Sequence, residues 1–224
     1  MIIVADISGN HGGHLDKALE LIVTAARCGC DYAKFQYYRP GDMYATSKEE
    51  TDLYFQLHVS HDWLVPMFDC ANTNNIGLFA SIFSVECVQE LIPFDPDYWK
   101  LASPQSTWLP ESVLLGIVAA IPNPKDIIIS ADRRDLDRMH KIAPKARALY
   151  CPPGHPPDIT DMDFEEIGEY YGFSDHTPDL ITPLAFAAAK VQMIEKHLKV
   201  DDNCVDAEFS ADASTMRELC RRLK

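Results

Sequence analysis

The segment YGFSDHTPDLITPLAFAAAKVQMIEKH, at residues 171–197, contains one complete unit of the fold that we predict for this chain. A short apolar run at 171–175 is followed by a longer amphipathic stretch at 180–189 and then by a second apolar run at 191–197. Short runs of this kind favour buried strands, whereas apolar residues that recur three and four positions apart favour a helix. The unit therefore predicts two parallel strands joined by a crossover helix.

The same alternation continues along the whole chain. We predict further strands at 2–7, 31–36, 77–82, 98–102, 126–130 and 146–151. We predict the remaining helices at 14–28, 61–74, 84–92, 110–121, 133–142, 161–170 and 212–222. Eight strand–helix units close a barrel, so the predicted fold is of the α/β class, a single (β/α)8 TIM barrel domain over residues 1–224. An open doubly wound sheet is the alternative, but the turn SGNHGGH at 8–14 does not match the G-x-G-x-x-G phosphate loop of such sheets.

The composition limits the classes of partner. The formal net charge of −14 argues against nucleic acid and anionic membrane surfaces. The opening residues MIIVADISGN are apolar but short and lack a basic leader, so we interpret them as a buried strand and not as a signal peptide. No apolar run approaches the roughly 20 residues of a membrane span. The scattered cysteines indicate reduced thiols, so we expect a cytoplasmic protein that binds small molecules.

Polar side chains gather where the predicted strands end. In a parallel barrel these ends face one mouth, and the active sites of (β/α)8 enzymes lie there. The two long connections, at 37–60 and 152–160, follow strands and are expected to lie over the same mouth. The polar residues at the strand ends are Lys34, Gln36, Ser81, Lys100, Ser103, Ser130, Ser174, Asp175, His176, Glu195, Lys196 and His197.

Two kinds of binding site follow from these residue types. Lys34, Lys100 and Lys196, together with several hydroxyls, would form a local anion site in an otherwise acidic protein. His176 and His197, on adjacent strands, could share a divalent metal ion, because imidazole binds transition metals such as Mn, Fe or Zn. Each residue alone has an ordinary structural explanation, and their joint occurrence is what favours a site.

Six motifs, in order along the chain, resemble those of the sialic acid synthase family. They are ADISGNHGG at 5–13, DYAKFQ at 31–36, WKLAS at 99–103, GFSDHT at 172–177, IEKH at 194–197 and VDAEFS at 205–210. They extend over nearly the whole chain, and the S-D-H-T and E-K-H motifs are the most specific of them. The resemblance implies a (β/α)8 barrel, which agrees with the strand count.

The resemblance also implies an activity. Members of that family condense phosphoenolpyruvate with an amino sugar such as N-acetylmannosamine, using Mn²⁺ or a similar divalent metal. His176 and His197 would bind the metal, and Gln36 and Asp206 would face the sugar. The metal would polarise the open-chain aldehyde, which the methylene carbon of phosphoenolpyruvate would attack. Water would then add, and phosphate would leave a tetrahedral intermediate. The residues implied to contact phosphoenolpyruvate are Lys34, Ser81, Lys100, Ser103, Ser130 and Ser174.

Several positions depart from the family motifs and affect the acid–base chemistry. Gln105 replaces a glutamate and cannot take up a proton at neutral pH, and Asp6 replaces a longer glutamate. Pro153 and His155 replace an asparagine and a tyrosine, and proline offers no backbone N–H. We therefore take Gln105, Asp6, Asp206 and His155 as the candidate catalytic residues, with His155 or Asp6 taking over the proton transfer.

Three functions stay open at this point. Known family members carry a further small C-terminal domain, similar to antifreeze proteins, which supplies an arginine to the partner's sugar site. This chain ends after its eighth predicted helix, so we expect no such domain here and either a homodimer or a companion chain that supplies it. The first function is the condensation described above. The alternatives are a different lyase, aldolase or phosphatase-like reaction at the same site, and a non-catalytic binding subunit.

Overall fold

The structure is a computed structural model that describes residues 1–103, 109–162, 164 and 167–224. Eight parallel strands form a closed barrel in chain order, and the last strand pairs with the first. The predicted α/β class and (β/α)8 barrel are confirmed, and each strand lies within two residues of its predicted bounds. The strands are β1 (Ile2–Asp6), β2 (Tyr32–Tyr37), β3 (Gly77–Ile82), β4 (Trp99–Leu101), β5 (Ile127–Ala131), β6 (Arg147–Tyr150), β7 (Gly172–Asp175) and β8 (Met193–His197).

Eight α-helices occur in the part of the chain that the structure describes. They are α1 (Leu15–Cys28), α2 (Lys48–Leu57), α3 (Leu64–Thr73), α4 (Val85–Leu91), α5 (Glu111–Ala120), α6 (Arg133–Ile142), α7 (Ile181–Ala188) and α8 (Ala213–Leu223). The carboxylates of Asp132 and Asp212 accept hydrogen bonds from first-turn N–H groups of α6 and α8. None of these described helices has the length and apolar character that crossing a membrane requires.

Helix α2 lies inside the connection 37–60, for which no helix was predicted. Ser47 caps it by accepting a hydrogen bond from the Glu50 N–H, and two glutamates in the first turn suit the positive end of the helix dipole. Leu57 is the one residue of this helix that is buried, so the helix has almost no apolar face. The capping residue was therefore the signal in the sequence that indicated this helix, because so small an apolar face gives no clear helical period.

The predicted helix at 161–170 is wrong for the residues that the structure describes. Ile159–Asp161 and Ile167–Glu169 are single 3-10 turns. The segment DMDFEEIGEY contains aspartates and a glycine, which have low helix propensity. Aspartate side chains also compete for backbone N–H groups in turns, as Asp158 does when it accepts from the Thr160 N–H at 2.8 Å.

Side chains on each strand alternate between two apolar layers. On β1, Ile3 and Ala5 pack in the layer between the strands and the helices, whereas Val4 belongs to a separate cluster inside the barrel. We call this inner cluster the apolar plug, and it closes the barrel axis below the mouth. Its fully or almost fully buried members are Val4, Phe79, Tyr98, Ile128, Leu149 and Met193.

The next inward position on each strand lies two residues further along the chain and carries a polar side chain or a thiol. We call this set the polar layer, and its members are each at most 3% exposed. Because the plug lies directly beneath it, the polar layer forms the floor of the carboxyl-terminal mouth. Its members are Asp6, Lys34, Ser81, Lys100, Ser130, Cys151, Ser174 and Glu195.

Candidate active site

A cavity of about 250 Å³ opens above the polar layer at the mouth of the barrel. Ser81 belongs to the polar layer but does not line this cavity, and its buried hydroxyl has no hydrogen-bond partner among the described residues. Gln105 lies outside the described residues. Apart from Lys196, the other residues to which the sequence analysis gave a binding or catalytic role line the cavity: Asp6, Lys34, Gln36, Lys100, Ser103, Ser130, His155, Ser174, His176, His197 and Asp206.

Glu195 is the centre of an ion-pair network at the cavity floor. Its Oε1 accepts hydrogen bonds from Lys100 Nζ and, at 2.9 Å, from Ser174 Oγ, and it lies 3.6 Å from Lys34 Nζ. Lys34 Nζ donates to Asp6 Oδ2 at 2.5 Å. The two lysines therefore face two carboxylates, so these four groups together add no net positive charge to the floor.

The pKa values of these groups follow from burial and from the neighbouring charges. Burial lowers the pKa of Lys34, but the carboxylates of Asp6 and Glu195 outweigh it and leave that pKa raised. For Lys100, burial outweighs the effect of Glu195, and the pKa is lowered. Burial raises the pKa of the Glu195 carboxyl, but Lys100 and Lys34 outweigh it and hold this pKa below its usual value. Glu195 is therefore ionised at neutral pH.

Lys196 lies outside this network, so the prediction of three lysines at one mouth is wrong. Its Nζ donates to Asp175 Oδ2 and to the Thr177 carbonyl, both at 2.7 Å, and its side chain is fully buried. Since side chains alternate along a strand, Lys196 must face away from the cavity that Glu195 and His197 line. The candidate anion site consequently has two lysines, and each already contacts a carboxylate.

Three imidazole rings and one phenylalanine ring form another wall of the cavity. The His176 ring centroid lies 4.1 Å from that of His155 and 5.0 Å from that of His197. The ring of Phe209 packs against all three, with centroid distances of 5.0–5.8 Å. His155 is exposed, whereas His176 and His197 are buried. The predicted pair therefore faces one cavity from adjacent strands.

His197 lies between two carboxylates. Its Nε2 is 3.2 Å from Asp6 Oδ2, and its Nδ1 is 3.0 Å from Asp206 Oδ2. Burial lowers the pKa of His197, but the two carboxylates outweigh it, so this pKa is raised. Burial, together with His197 and His155, lowers the pKa of His176 well below its usual value. His176 is therefore a neutral imidazole at neutral pH, and a neutral imidazole can bind a metal.

Cys151, His155 and His176 bring potential metal donors together. They offer one donor atom each, and these atoms all lie within 4.8 Å of one another. Sulfur and imidazole donors suit divalent transition metals such as Zn²⁺ and Fe²⁺. The donor set thus fits a divalent metal ion, and His176 belongs both to this cluster and to the pair predicted from the sequence.

Glu195 and Cys151 are among the cavity residues that received no role in the sequence analysis. Side chains two positions apart on a strand face the same side, and this rule could have identified both residues. Glu195 precedes His197 by two positions, and Cys151 follows Leu149 of the apolar plug by two. Tyr54 also lines the cavity and comes from α2, for which no helix was predicted. Strand alternation could have identified the first two residues but not Tyr54.

Asn10 holds the segment that carries Asp206 in place over the mouth. Its Nδ2 donates to the Leu198 carbonyl and to Ser210 Oγ, both at 2.9 Å. Its Oδ1 accepts a hydrogen bond from the Asp206 N–H at 3.1 Å. Asn10 is buried, so losing one of these partners would leave a costly unsatisfied group. The first and last of the six motifs therefore meet at the mouth.

Comparisons with known proteins point to synthases of sugar acids. The chain is 27% identical to the pseudaminic acid synthase of Campylobacter jejuni, over 98% of this chain and 71% of the relative. It is 24% identical to the N-acetylneuraminate-9-phosphate synthase of Mus musculus, over 99% of this chain and 69% of the relative. A crystal structure of the N-acetylneuraminic acid (sialic acid) synthetase from Leptospira borgpetersenii serovar Hardjo-bovis, in complex with citrate, has the same fold. It superposes with a TM-score of 0.89 at 24% identity, over 99% of this chain and 82% of that chain.

A family profile covers most of the same length. The profile of the NeuB family matches residues 21–224, from the middle of α1 to the last residue of the sequence. The match includes seven of the eight strands and every residue found at the cavity except those around β1. On this match, the chain belongs to the NeuB family.

Proposed function

We propose that this protein joins phosphoenolpyruvate to the aldehyde of an amino sugar of the N-acetylmannosamine type and releases phosphate. The product would be a 2-keto-3-deoxy sugar acid, and the reaction would use a divalent transition metal. Membership of the NeuB family supports the proposal, because relatives are named as synthases of pseudaminic acid and of N-acetylneuraminate 9-phosphate. The observation that carries it is the cavity floor, which Lys34 and Lys100 line together with the hydroxyl residues Ser130 and Ser174.

The floor has groups that suit phosphoenolpyruvate. Ser130 Oγ is buried and has no hydrogen-bond partner among the described residues, which is typical of a place where a ligand or water binds. Phosphate and carboxylate oxygens would accept hydrogen bonds from the serine hydroxyl and from the ammonium groups of Lys34 and Lys100. Since Asp6 and Glu195 already hold those lysines, we expect phosphoenolpyruvate to share them with the two carboxylates.

The sugar would bind above this floor. When bound at His176 and its neighbours, a divalent metal would polarise the carbonyl of the open-chain sugar. His176 and His197 line the cavity from the ends of β7 and β8, and Gln36 lines it from β2. Gln36 and Asp206 would hold the sugar hydroxyls, so that the aldehyde carbon lies over the methylene carbon of phosphoenolpyruvate.

His197 and the carboxylates of Asp6 and Asp206 would carry out the proton transfers. Burial raises the pKa of Asp206, but His197 outweighs it and the pKa is lowered, so a carboxylate lies beside an imidazole whose own pKa is raised. Water that adds to the central carbon must lose a proton, and Asp6, at 3.2 Å from His197 Nε2, would relay it. His155, the substitute predicted from the sequence, contacts His176 through its ring, with centroids 4.1 Å apart.

Phosphate release tests the proposal. The full chain is incubated with phosphoenolpyruvate, Mn²⁺ or Zn²⁺, and a panel of amino sugars and smaller aldehydes. We expect release that requires an acceptor and that falls by about 10²–10³-fold in Lys100→Ala, as when a group that stabilises transition-state charge is lost. The matched control Lys48→Ala, on the exposed face of α2, should keep wild-type activity. Release without an acceptor, or none with any acceptor, would refute the condensation.

A further inference from the structure

We propose that Cys151, His155 and His176 together bind one metal ion, and that this mixed set of sulfur and nitrogen donors selects Zn²⁺, Co²⁺ or Fe²⁺ over Mn²⁺. The inference deepens the proposed function and rests on it for the metal's role in the reaction. The binding itself is argued from the positions of the three side chains.

The spacing of the donor atoms fits one ion. Cys151 Sγ lies 3.9 Å from His176 Nδ1, and the donor atoms of Cys151, His155 and His176 are all within 4.8 Å of one another. Two donors of a tetrahedral metal, with bonds of about 2.0–2.3 Å, lie roughly 3.3–3.8 Å apart. Small rotations of the side chains therefore bring all three atoms to ligand positions without moving a strand.

A tight turn brings His155 back over the mouth. Cys151 directly follows β6, and the loop PPGHPP begins after it. Gly154 in this loop has a φ of 91°, a conformation that favours glycine, and a Cβ at this position would lie 3.1 Å from the Pro156 carbonyl oxygen. The turn places the His155 ring against that of His176, with centroids 4.1 Å apart. The histidine that departs from the family motif is thus positioned as a third donor.

His197 is less well placed than His155 to share an ion with His176. Each of its ring nitrogens has a carboxylate oxygen within 3.2 Å, from Asp6 on one side and Asp206 on the other. The ring nitrogens of His197 are not among the donor atoms of Cys151, His155 and His176 that lie within 4.8 Å of one another. We therefore leave His197 outside the proposed set of ligands.

The donor types determine which metals bind. A thiolate with two imidazoles favours Zn²⁺, Co²⁺ and Fe²⁺, whereas Mn²⁺ prefers carboxylate and water oxygens. Phe209 covers the histidine rings on one side, and the other side opens into the cavity. Three protein ligands would leave one position for water or the sugar carbonyl, as in catalytic zinc sites. The ion would therefore lie where the proposed reaction needs it.

Cobalt binding to the full chain, without substrates, tests the inference. Co²⁺ should bind at one equivalent and give the near-ultraviolet sulfur-to-cobalt charge-transfer band; Zn²⁺ should displace it, and equimolar Mn²⁺ should not. The band should disappear in Cys151→Ser and remain in Cys204→Ser, a control thiol away from the cavity. His155→Phe should weaken Co²⁺ binding by more than about 10-fold, because even the loss of a group that hydrogen-bonds to a metal ligand costs about that much. His197→Gln and the exposed His61→Gln should retain the band.

Three results of the cobalt titrations would overturn the inference. They are a wild type without the charge-transfer band, a band that persists in Cys151→Ser, and metal loss in His197→Gln with full binding in His155→Phe. X-ray absorption of the zinc-loaded wild type, which depends on no variant folding, should find one sulfur and two imidazole nitrogens. Oxygen and nitrogen ligands alone would contradict the assignment. A protein that binds cobalt in this way but releases no phosphate would disprove the proposed function while leaving the metal site standing.

Discussion

Replacing Glu195 with glutamine tests the charge network at the barrel mouth. The carboxylate is 2% exposed and accepts hydrogen bonds from Lys100 and Ser174. Glutamine keeps the shape and one acceptor oxygen but leaves Lys100 buried without its carboxylate. Removing one partner of a buried ion pair costs about 3–5 kcal/mol, and the retained acceptor places Glu195→Gln near the lower value.

Thermal unfolding followed by circular dichroism measures the effect. In a domain of this size 1 kcal/mol shifts the Tm by about 2–4 °C, so a loss of about 3 kcal/mol lowers it by roughly 6–12 °C. The matched control is Glu218→Gln on α8, which removes surface ion pairs with Arg221 and Arg222 and should leave the Tm nearly unchanged. A Glu195→Gln protein with the wild-type Tm would refute the network.

The pH dependence gives an independent check on the same residue. Burial raises the pKa of the Glu195 carboxyl, but Lys100 and Lys34 hold it below its usual 4.5. A group whose pKa is lower in the folded state contributes stability that is complete above the unfolded pKa and is lost as the pH falls toward the folded one. The wild type should therefore lose this contribution below about pH 4.5, while Glu195→Gln has none to lose. If the free energies of unfolding of the wild type and of Glu195→Gln fell in parallel as the pH decreased, the lowered pKa of Glu195 would be refuted.

Three further substitutions test other parts of the structure. Lys196→Met leaves Asp175 buried without its partner and should lower the free energy of unfolding by about 3–5 kcal/mol in urea, whereas Lys48→Met should not change it. Gly172→Ala places a Cβ 2.5 Å from a backbone carbonyl oxygen inside the barrel and should cost about 1–3 kcal/mol or more; an unchanged urea midpoint would contradict this packing. Lys100→Ala should weaken phosphoenolpyruvate binding by about 1–3 kcal/mol in calorimetry, and an unchanged Kd would remove this lysine from the anion site.

Much of the barrel and of its mouth was predictable because strand ends and strand periods are local features of the sequence. Eight apolar runs determine eight strands, and the parallel topology then brings their carboxyl ends together. Lys34, Lys100, Ser130 and Ser174 follow from this rule and line the cavity as expected. Side chains alternate along a strand, so Lys196 faces away from the mouth when Glu195 and His197 face into it.

The rest depends on contacts between residues far apart in the chain. The pairing of Lys100 with Glu195 joins residues on β4 and β8, and no local pattern predicts which carboxylate a buried lysine will meet. The approach of His155 to His176 depends on a turn in an irregular loop, whose path follows from Gly154 and its neighbours. Helix α2 has a clear cap but a weak apolar face, so periodicity alone does not predict it.

The most direct test of the central claim is the balance between the carbon–carbon bond formed and the phosphate released. The full chain, loaded with Zn²⁺ or Mn²⁺, is incubated with phosphoenolpyruvate and N-acetylmannosamine or a related amino sugar, and phosphate, pyruvate and new sugar acids are quantified by mass spectrometry. We expect one 2-keto-3-deoxy sugar acid for each phosphate released and no pyruvate. Phosphate accompanied by an equal amount of pyruvate, with no sugar acid, would contradict it.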